Sequence, residues 1–324
     1  MSKRYAVISV GTNSTRMLLA DVAPERPHVE AAGSIGTRVG EGLDAEGRLA
    51  EEPMRRTLEA VGQLYRQVRG RYVKLFAVAT SAARRAGNGD EFLQRAEAIV
   101  GVPVRVLSGE EEAEASYRGA ITVFDNLRGE RVAVIDIGGG STEYASGTGT
   151  KPERVLSCEI GAVRLTEALP AMAGRDGPVE PATVERARSL AREALDPLSA
   201  GEPAERAAFV GGSATTVAAI VRARKGSVDS YPLSRADLQS VLTRLCSLSL
   251  DERKKIVGMR AQRADILPAG IVVLDVALEL MKLDAAVATT SDLLLGIMLQ
   301  HRDASIPAGE GPPAHGRFPT TRGR

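Results

Sequence analysis

Three stretches place glycine and hydroxyl side chains directly after an apolar run: GTNSTR (11–16), GGGSTE (138–143) and GGSATT (211–216). Glycine lets the backbone bend so that successive N–H groups aim at one point, and Ser and Thr add donors. The combination suits phosphate oxygens. One such turn is explained as well by ordinary chain reversal. Three in one chain point to an anion held by Gly11, Thr12, Asn13 and Ser14, by Gly138, Gly139, Gly140, Ser141 and Thr142, and by Gly212 and Ser213. Asp136 ends the run before GGG, and Glu143 follows it. Beside bound phosphate, two such carboxylates suit a hard divalent cation, Mg²⁺ or another; the plainer role for each is to cap its own turn. Glu110, Glu111 and Glu112 open a helix, where carboxylates favour the dipole. Three exceed what capping needs, so one can face a cleft and orient or deprotonate a water; composition does not choose among them. Arg16, Arg84 and Arg85 fall near strand ends, in loops, where guanidinium groups suit bidentate phosphate contact.

Other chemistries are excluded. Cys158 and Cys246 are the only cysteines, and His28, His301 and His315 the only histidines. That is too few for a disulfide framework, a cysteine zinc module or HExxH chemistry, and a Ser-His-Asp triad would rest on His28 alone. No GxxxxGK(S/T) is present, so there is no P-loop. With 42 basic and 41 acidic residues, 3% aromatics and no Trp, neither nucleic acid nor an anionic membrane is an expected partner. The start, MSKRYAVISVG, lacks a signal-peptide core, and the apolar stretch 269–288 is broken by Asp275, Glu279, Lys282 and Asp284. A cytoplasmic protein is expected.

The elements that must position these residues follow from periodicity. Residues 5–10 and 16–22 read as strands around GTNST, and 28–39 as a third. Apolar steps of three and four make 51–69 an amphipathic helix. A strand at 74–80, a polar loop SAARRAGNGD, a helix at 90–100 and a strand at 103–107 follow. Ser108 then opens a helix with a capping box to Glu111. From 131 the pattern restarts. With an offset of 127, VISVGTNS falls on VIDIGGGS, setting Ile8 on Ile135, Ser9 on Asp136, Gly11 on Gly138 and Ser14 on Ser141. Helices at 180–197, 212 onward, 234–247 and 263–282 and strands at 207–211 and 287–292 complete a second half. The expected division is 1–125, 126–300 and a disordered Pro/Gly/Arg-rich tail at 301–324.

Taken together, VGTNSTRMLLADV (10–22), TRVGEGLDAEGRL (37–49), AVATSAARRA (77–86), LSGEEEAEASYRGA (107–120), VIDIGGGSTEY (134–144), IGAVRLTE (160–167), VGGSATT (210–216) and RADILPAG (263–270) resemble the exopolyphosphatase/guanosine pentaphosphate phosphohydrolase (Ppx/GppA) family. The resemblance implies two ribonuclease H-like α/β domains of the acetate and sugar kinase/heat-shock chaperone/actin superfamily, with a cleft between them. It also implies hydrolysis of a terminal phosphoanhydride. By the family's SGxEEA motif the catalytic glutamate is Glu112. By DIGGGSTE the metal carboxylates are Asp136 and Glu143 and the phosphate-binding amides those of Gly138, Gly139 and Gly140. Thr12, Asn13 and Ser14 map onto the first turn, and Arg84 onto the arginine of ATSAxR.

The sequence departs from that pattern at three places. The first strand ends in Ser9 where the family has aspartate. SDLLLGIM (291–298) keeps Ser291, Asp292 and Gly296 but lacks the usual arginine. The chain also reads as a short form without the HD-type C-terminal domain. The leading expectation is an exopolyphosphatase acting on inorganic polyphosphate. The alternatives are a guanosine pentaphosphate (pppGpp) phosphohydrolase and, because of Ser9, a non-catalytic polyphosphate- or alarmone-binding regulator. A superfamily kinase is disfavoured by SGxEEA beside DIGGGSTE. The resemblance allows a homodimer, with no interface visible in the sequence.

Overall fold

The computed structural model describes residues 3–23, 27–125, 127, 129–223 and 230–303. The chain opens with β1 (Arg4–Val10), β2 (Ser14–Asp21) and β3 (His28–Gly36), then α1 (Leu43–Glu46), α2 (Glu51–Val68), β4 (Lys74–Ala79), α3 (Ser81–Arg85), α4 (Gly89–Val100), β5 (Val104–Val106) and α5 (Gly109–Ala120). The second half comprises β6 (Val132–Ile137), β7 (Thr142–Gly147), β8 (Arg154–Cys158), α6 (Ala162–Ala168), α7 (Pro181–Leu195), β9 (Arg206–Val210), α8 (Gly212–Val221), β10 (Tyr231–Ser234), α9 (Arg235–Cys246), α10 (Leu250–Arg253), α11 (Leu267–Met281), β11 (Ala285–Ala288) and α12 (Leu293–Asp303).

The two sheets share one plan. The first runs β3-β2-β1-β4-β5, and the second β8-β7-β6-β9-β11 with β10 added at the far edge. In each, three antiparallel strands are followed by two parallel ones. This is the ribonuclease H-like order, repeated as the 127-residue offset implies. Equivalent residues take equivalent places: Ser9 pairs with Arg16 across the first hairpin, and Asp136 with Glu143 across the second.

Strand alternation divides β1 between two cores. Ala6, Ile8 and Val10 face α2 and α4, whose apolar residues include Leu58, Val61, Leu64 and Phe92. Val7 faces the other way, with Leu18, Ala20 and Val78, and is covered by α12. The second sheet packs Ile135, Ile137 and Phe209 under α11, α8 and α9 on one face. On its other face Val132, Val134 and Ala208 meet Ala113, Tyr117 and Ala120 of α5. Each half therefore lends a helix to the other: α5 lies on the second sheet and α12 on the first, and the two helices pack together. The last helix does not remain with the second sheet, as a division at 126–300 implies. Arg38 and Asp265 tie the halves again, through hydrogen bonds of 2.6 and 2.7 Å.

Several local expectations need correction. SAARR is helix α3 and not loop. The helix expected from 263 starts at Leu267, with Pro268 in its first turn, where a missing N–H costs nothing. His301 to Asp303 belong to α12 and not to a tail, and His301 stacks on Phe76 at 4.3 Å. The rest of the expected tail, 304–324, lies outside the described residues. Among the described residues, no helix is long and apolar enough to cross a membrane.

Candidate active site

The two hairpin turns are closed by the same hydrogen bond. Gly11 N donates to Ser14 O at 3.0 Å, and Gly138 N to Ser141 O at 3.0 Å. They face each other across the cleft. A Cβ on Gly139 would stand 3.0 Å from Thr12 Cβ, and one on Gly140 only 2.9 Å from Ser81 Oγ. Bare backbone is what allows the approach.

Between them lies a chamber of about 80 Å³. Gly11, Thr12, Asn13, Ser14 and Arg16 line it from the first half, with Glu112 from α5. Asp136, Gly138, Gly139, Gly140, Ser141, Glu143 and Gly212 line it from the second. Both side-chain polar atoms of Asn13, and Ser81 Oγ, are buried there without a hydrogen-bond partner. Orphaned donors and acceptors around a small polar space mark a place where a polar ligand completes the bonding.

Glu112 is set by the local chain. Ser108 caps α5, accepting from Glu111 N at 3.1 Å, while Glu111 accepts from Ser108 N at 2.8 Å. Capping spends Glu111, and Glu110 is not among the residues lining the chamber. Glu112, one residue on, turns inward and accepts from Arg84 Nη1 at 2.5 Å. Burial raises its carboxyl to about 7 against the pull of Arg84, with Asp136 and Glu159 adding to the rise. Burial and Asp292 lift Asp136 to about 6, although Ser116 and Arg16 oppose the shift. Glu143 is pushed well above the usual range by burial and by its neighbours Glu112 and Asp136. Asp136 raises Glu112, and both raise Glu143; buried acids crowded in this way form a site that a cation would relieve.

The donor set fits a divalent cation. Asp136 and Glu143 offer hard oxygens beside a phosphate-sized space. Among the described residues no group of three acidic, His or Cys side chains could hold an ion unaided. A cation completed by water and substrate phosphate needs no such cage.

Several residues fall elsewhere than expected. The Thr142 side chain is buried on the opposite face of β7 from Glu143, donating to Ile160 O at 2.6 Å. Ser213 Oγ is buried against Gly270 of α11, away from the chamber. Arg84 does not line the chamber; α3 turns it toward Leu107 O and Glu112, so its charge serves the glutamate and not an open anion site. Arg85 pairs with Glu159 at 3.7 Å. Arg16 sits on β2 and pairs with Asp292.

Sequence reasoning missed Arg260 and Arg263. Both line a second space of about 490 Å³ that shares Arg16, Gly211, Gly212 and Arg263 with the chamber. Burial, then Arg260, Arg16 and Arg38, lowers Arg263 to about 9. This is a cation held among cations, a state that an anion would relieve. RADILPAG contained Arg263, yet an arginine carries no positional signal without its neighbours. Ser81 escaped notice because its helix has only five residues.

The model of the Ppx/GppA phosphatase family matches residues 20–300. Exopolyphosphatase 2 of Mycobacterium tuberculosis is 35% identical over 318 residues, covering 91% of this chain and 98% of that protein. The crystal structure of an exopolyphosphatase from Cytophaga hutchinsonii superposes with a TM-score of 0.83 at 26% identity, over 93% of this chain and 98% of that one. The Aquifex aeolicus PPX-GPPA enzyme gives 0.76 at 27%, over 93% and 100%.

Proposed function

The chain belongs to the Ppx/GppA phosphatase family, and on that premise we propose that it is an exopolyphosphatase, a phosphoanhydride hydrolase that releases orthophosphate from the end of inorganic polyphosphate. The observation that carries the reading is the single chamber in which both glycine turns meet Glu112, Asp136 and Glu143.

The terminal phosphate would lie between the turns, against their amides and the unpartnered Asn13 and Ser81. Glu112 would take the proton of a water as its oxygen bonds to the terminal phosphorus. The bridging P–O bond breaks, and the chain leaves one phosphate shorter. Positioning and charge stabilisation supply most of the rate in such a transfer. Asp136 and Glu143 would hold Mg²⁺, which when bound neutralises charge on the phosphoryl oxygens. The remaining phosphates would extend past Arg16, Arg260 and Arg263. No aromatic side chain is among the described residues lining that space, which favours polyphosphate over a guanine nucleotide. Free, buried Cys158 and Cys246 suit a reducing, cytoplasmic setting.

The test is orthophosphate release with Mg²⁺ from short polyphosphate, long polyphosphate, pppGpp and ATP side by side. Polyphosphate should exceed the other two by at least tenfold. Faster release from pppGpp would reassign the substrate. Tight binding without release from any of them would make the chain a binding protein.

Ser9 bears on the same question. It is buried, lines the chamber and pairs with Arg16 as Asp136 pairs with Glu143. Ser9→Asp adds an acid opposite Asp136. It should lower the Mg²⁺ concentration at half-maximal thermal shift by about tenfold, the lower end of what a partner to a metal site contributes. An unchanged midpoint would place position 9 outside the metal's reach.

A further inference from the structure

Helix α5 meets the second half along one face. Gly109, Glu112, Ser116 and Gly119 are spaced by three, four and three residues, which stacks them on one side of a helix. Each touches a different element. At Gly109 a Cβ would overlap the side chain of Ser157 on β8, whose Oγ donates to Glu143 Oε1 at 3.0 Å. At Gly119 a Cβ would overlap the carbonyl of Asp292, at the start of α12. Between these two close approaches, Ser116 Oγ donates to Asp136 Oδ2 at 2.6 Å.

A buried hydroxyl on a helix ordinarily finds its acceptor one turn back, in its own helix. Thr57, Thr166 and Thr216 of this chain do so, donating to Pro53 O, Ala162 O and Gly212 O at 2.6–2.7 Å. Ser116, only 1% exposed, instead gives its one proton to a carboxylate of the other half. The bond occupies Oδ2 and leaves Oδ1 toward Gly211, where a Cβ would stand 3.1 Å away, at the lip of the chamber. A carboxylate is free to rotate about its last bond. One charge-assisted hydrogen bond from a helix that cannot shift is enough to fix it.

We propose that Ser116 is a positioning residue for the reaction: its hydroxyl orients Asp136 of the second half against Glu112 of the first, one helical turn away. The inference rests on the proposed function. It makes α5 the part that holds the base and the metal-binding carboxylate in register across the cleft.

Two measurements test it on the full chain. The first is thermal stability titrated with Mg²⁺ alone. The second is kcat and KM for polyphosphate. Ser116→Ala should raise the Mg²⁺ midpoint about tenfold and lower kcat by about 10- to 100-fold, as loss of a metal ligand's supporting hydrogen bond does. KM should change less than threefold, because the turns that grip phosphate are untouched. Thr57→Val, which removes a buried hydroxyl bonded within its own helix, should lower the melting temperature without moving the midpoint or kcat.

A Ser116→Ala chain with midpoint and kcat within twofold of wild type overturns the inference. So does one whose losses match those of Thr57→Val at equal destabilisation. If wild type responds to Mg²⁺ through Ser116 yet releases no phosphate, the exopolyphosphatase reading fails and the positioning stands. If wild type neither responds nor hydrolyses, both fail.

Discussion

Glu112→Gln should lower kcat for phosphate release by about 10³-fold while polyphosphate binding stays within a few-fold of wild type. The magnitude is that of a well-placed general base. The expectation follows from position and environment together. Glu112 lines the chamber beside both glycine turns, is 7% exposed, and is held by Arg84 Nη1 at 2.5 Å. Burial brings its carboxyl from 4.5 to about 7, so at neutral pH it both accepts and releases a proton readily. The pH profile has a definite sign. The ionised form is the base, so kcat/KM should climb as pH rises through about 7 and fall about tenfold per unit below it. Stability runs in the opposite sense. A carboxylate whose folded value is raised weakens the fold above its unfolded value near 4.5, and the full cost is reached above about 7. Glu112→Gln should therefore melt no lower than wild type at pH 8 while being nearly inactive. Calorimetry and stopped phosphate assays at pH 6, 7 and 8 check both. Full turnover in the variant would falsify the assignment of the base.

The largest effect on the fold is expected from Gly296→Ala, at about 3 kcal/mol of lost stability or more. Overpacking a core commonly costs about 1–3 kcal/mol, and here the obstacle is backbone. A Cβ on Gly296 of α12 would overlap the carbonyl of Ala115 on α5, while one on Gly119 of α5 would overlap that of Asp292. The two helices cross glycine to backbone in both directions, so neither can retreat without leaving its sheet. Because α5 carries Glu112 and Ser116, activity should fall with stability. Urea unfolding of Gly296→Ala, with Ala115→Gly alongside, measures it. Ala115→Gly removes a Cβ and leaves the obstructing carbonyl, so it should not rescue the double variant. Wild-type stability in Gly296→Ala would mean that the crossing is looser than the structure has it.

Much of this architecture was legible in the residues. The repeat was visible because its turns demand glycine followed by hydroxyls, and because short strands on either side read as apolar runs. The capping box at Ser108 was visible because it is a local bond pattern. Helix α12 was not. Its residues 293–299 are nearly all apolar, buried between the first sheet and α5, so no polar face sets a helical period. Edge strand β8 was missed because its mixed exposure shows no alternation. Within the site, Asp136, Glu143 and both hairpin turns were nameable from their own residues, whereas Glu112 was told from Glu110 and Glu111 only by the family resemblance. What the residues did not announce was direction. Thr142 turns away because strand side chains alternate, and Arg84 turns back to Glu112 because α3 exists. Ser116 does its work across the domain boundary, where spacing along the chain says nothing about contact.

The exchange of helices also sets an order of assembly. Val7, Leu18, Ala20 and Val78 of the first sheet are covered by α12, which begins 173 residues after α5 ends. At ribosomal rates of about 5–20 residues per second, the first sheet waits roughly 9–35 s for its cover. Helix α5 likewise emerges before the strands it will lie on. Through that interval the nascent chain presents a bare apolar face of the kind holdase chaperones bind and aggregation recruits. The last helix made completes the first sheet made. A product cut short before α12 is thus chemically distinguishable from a finished one, and a protease or chaperone needs no other mark to tell them apart.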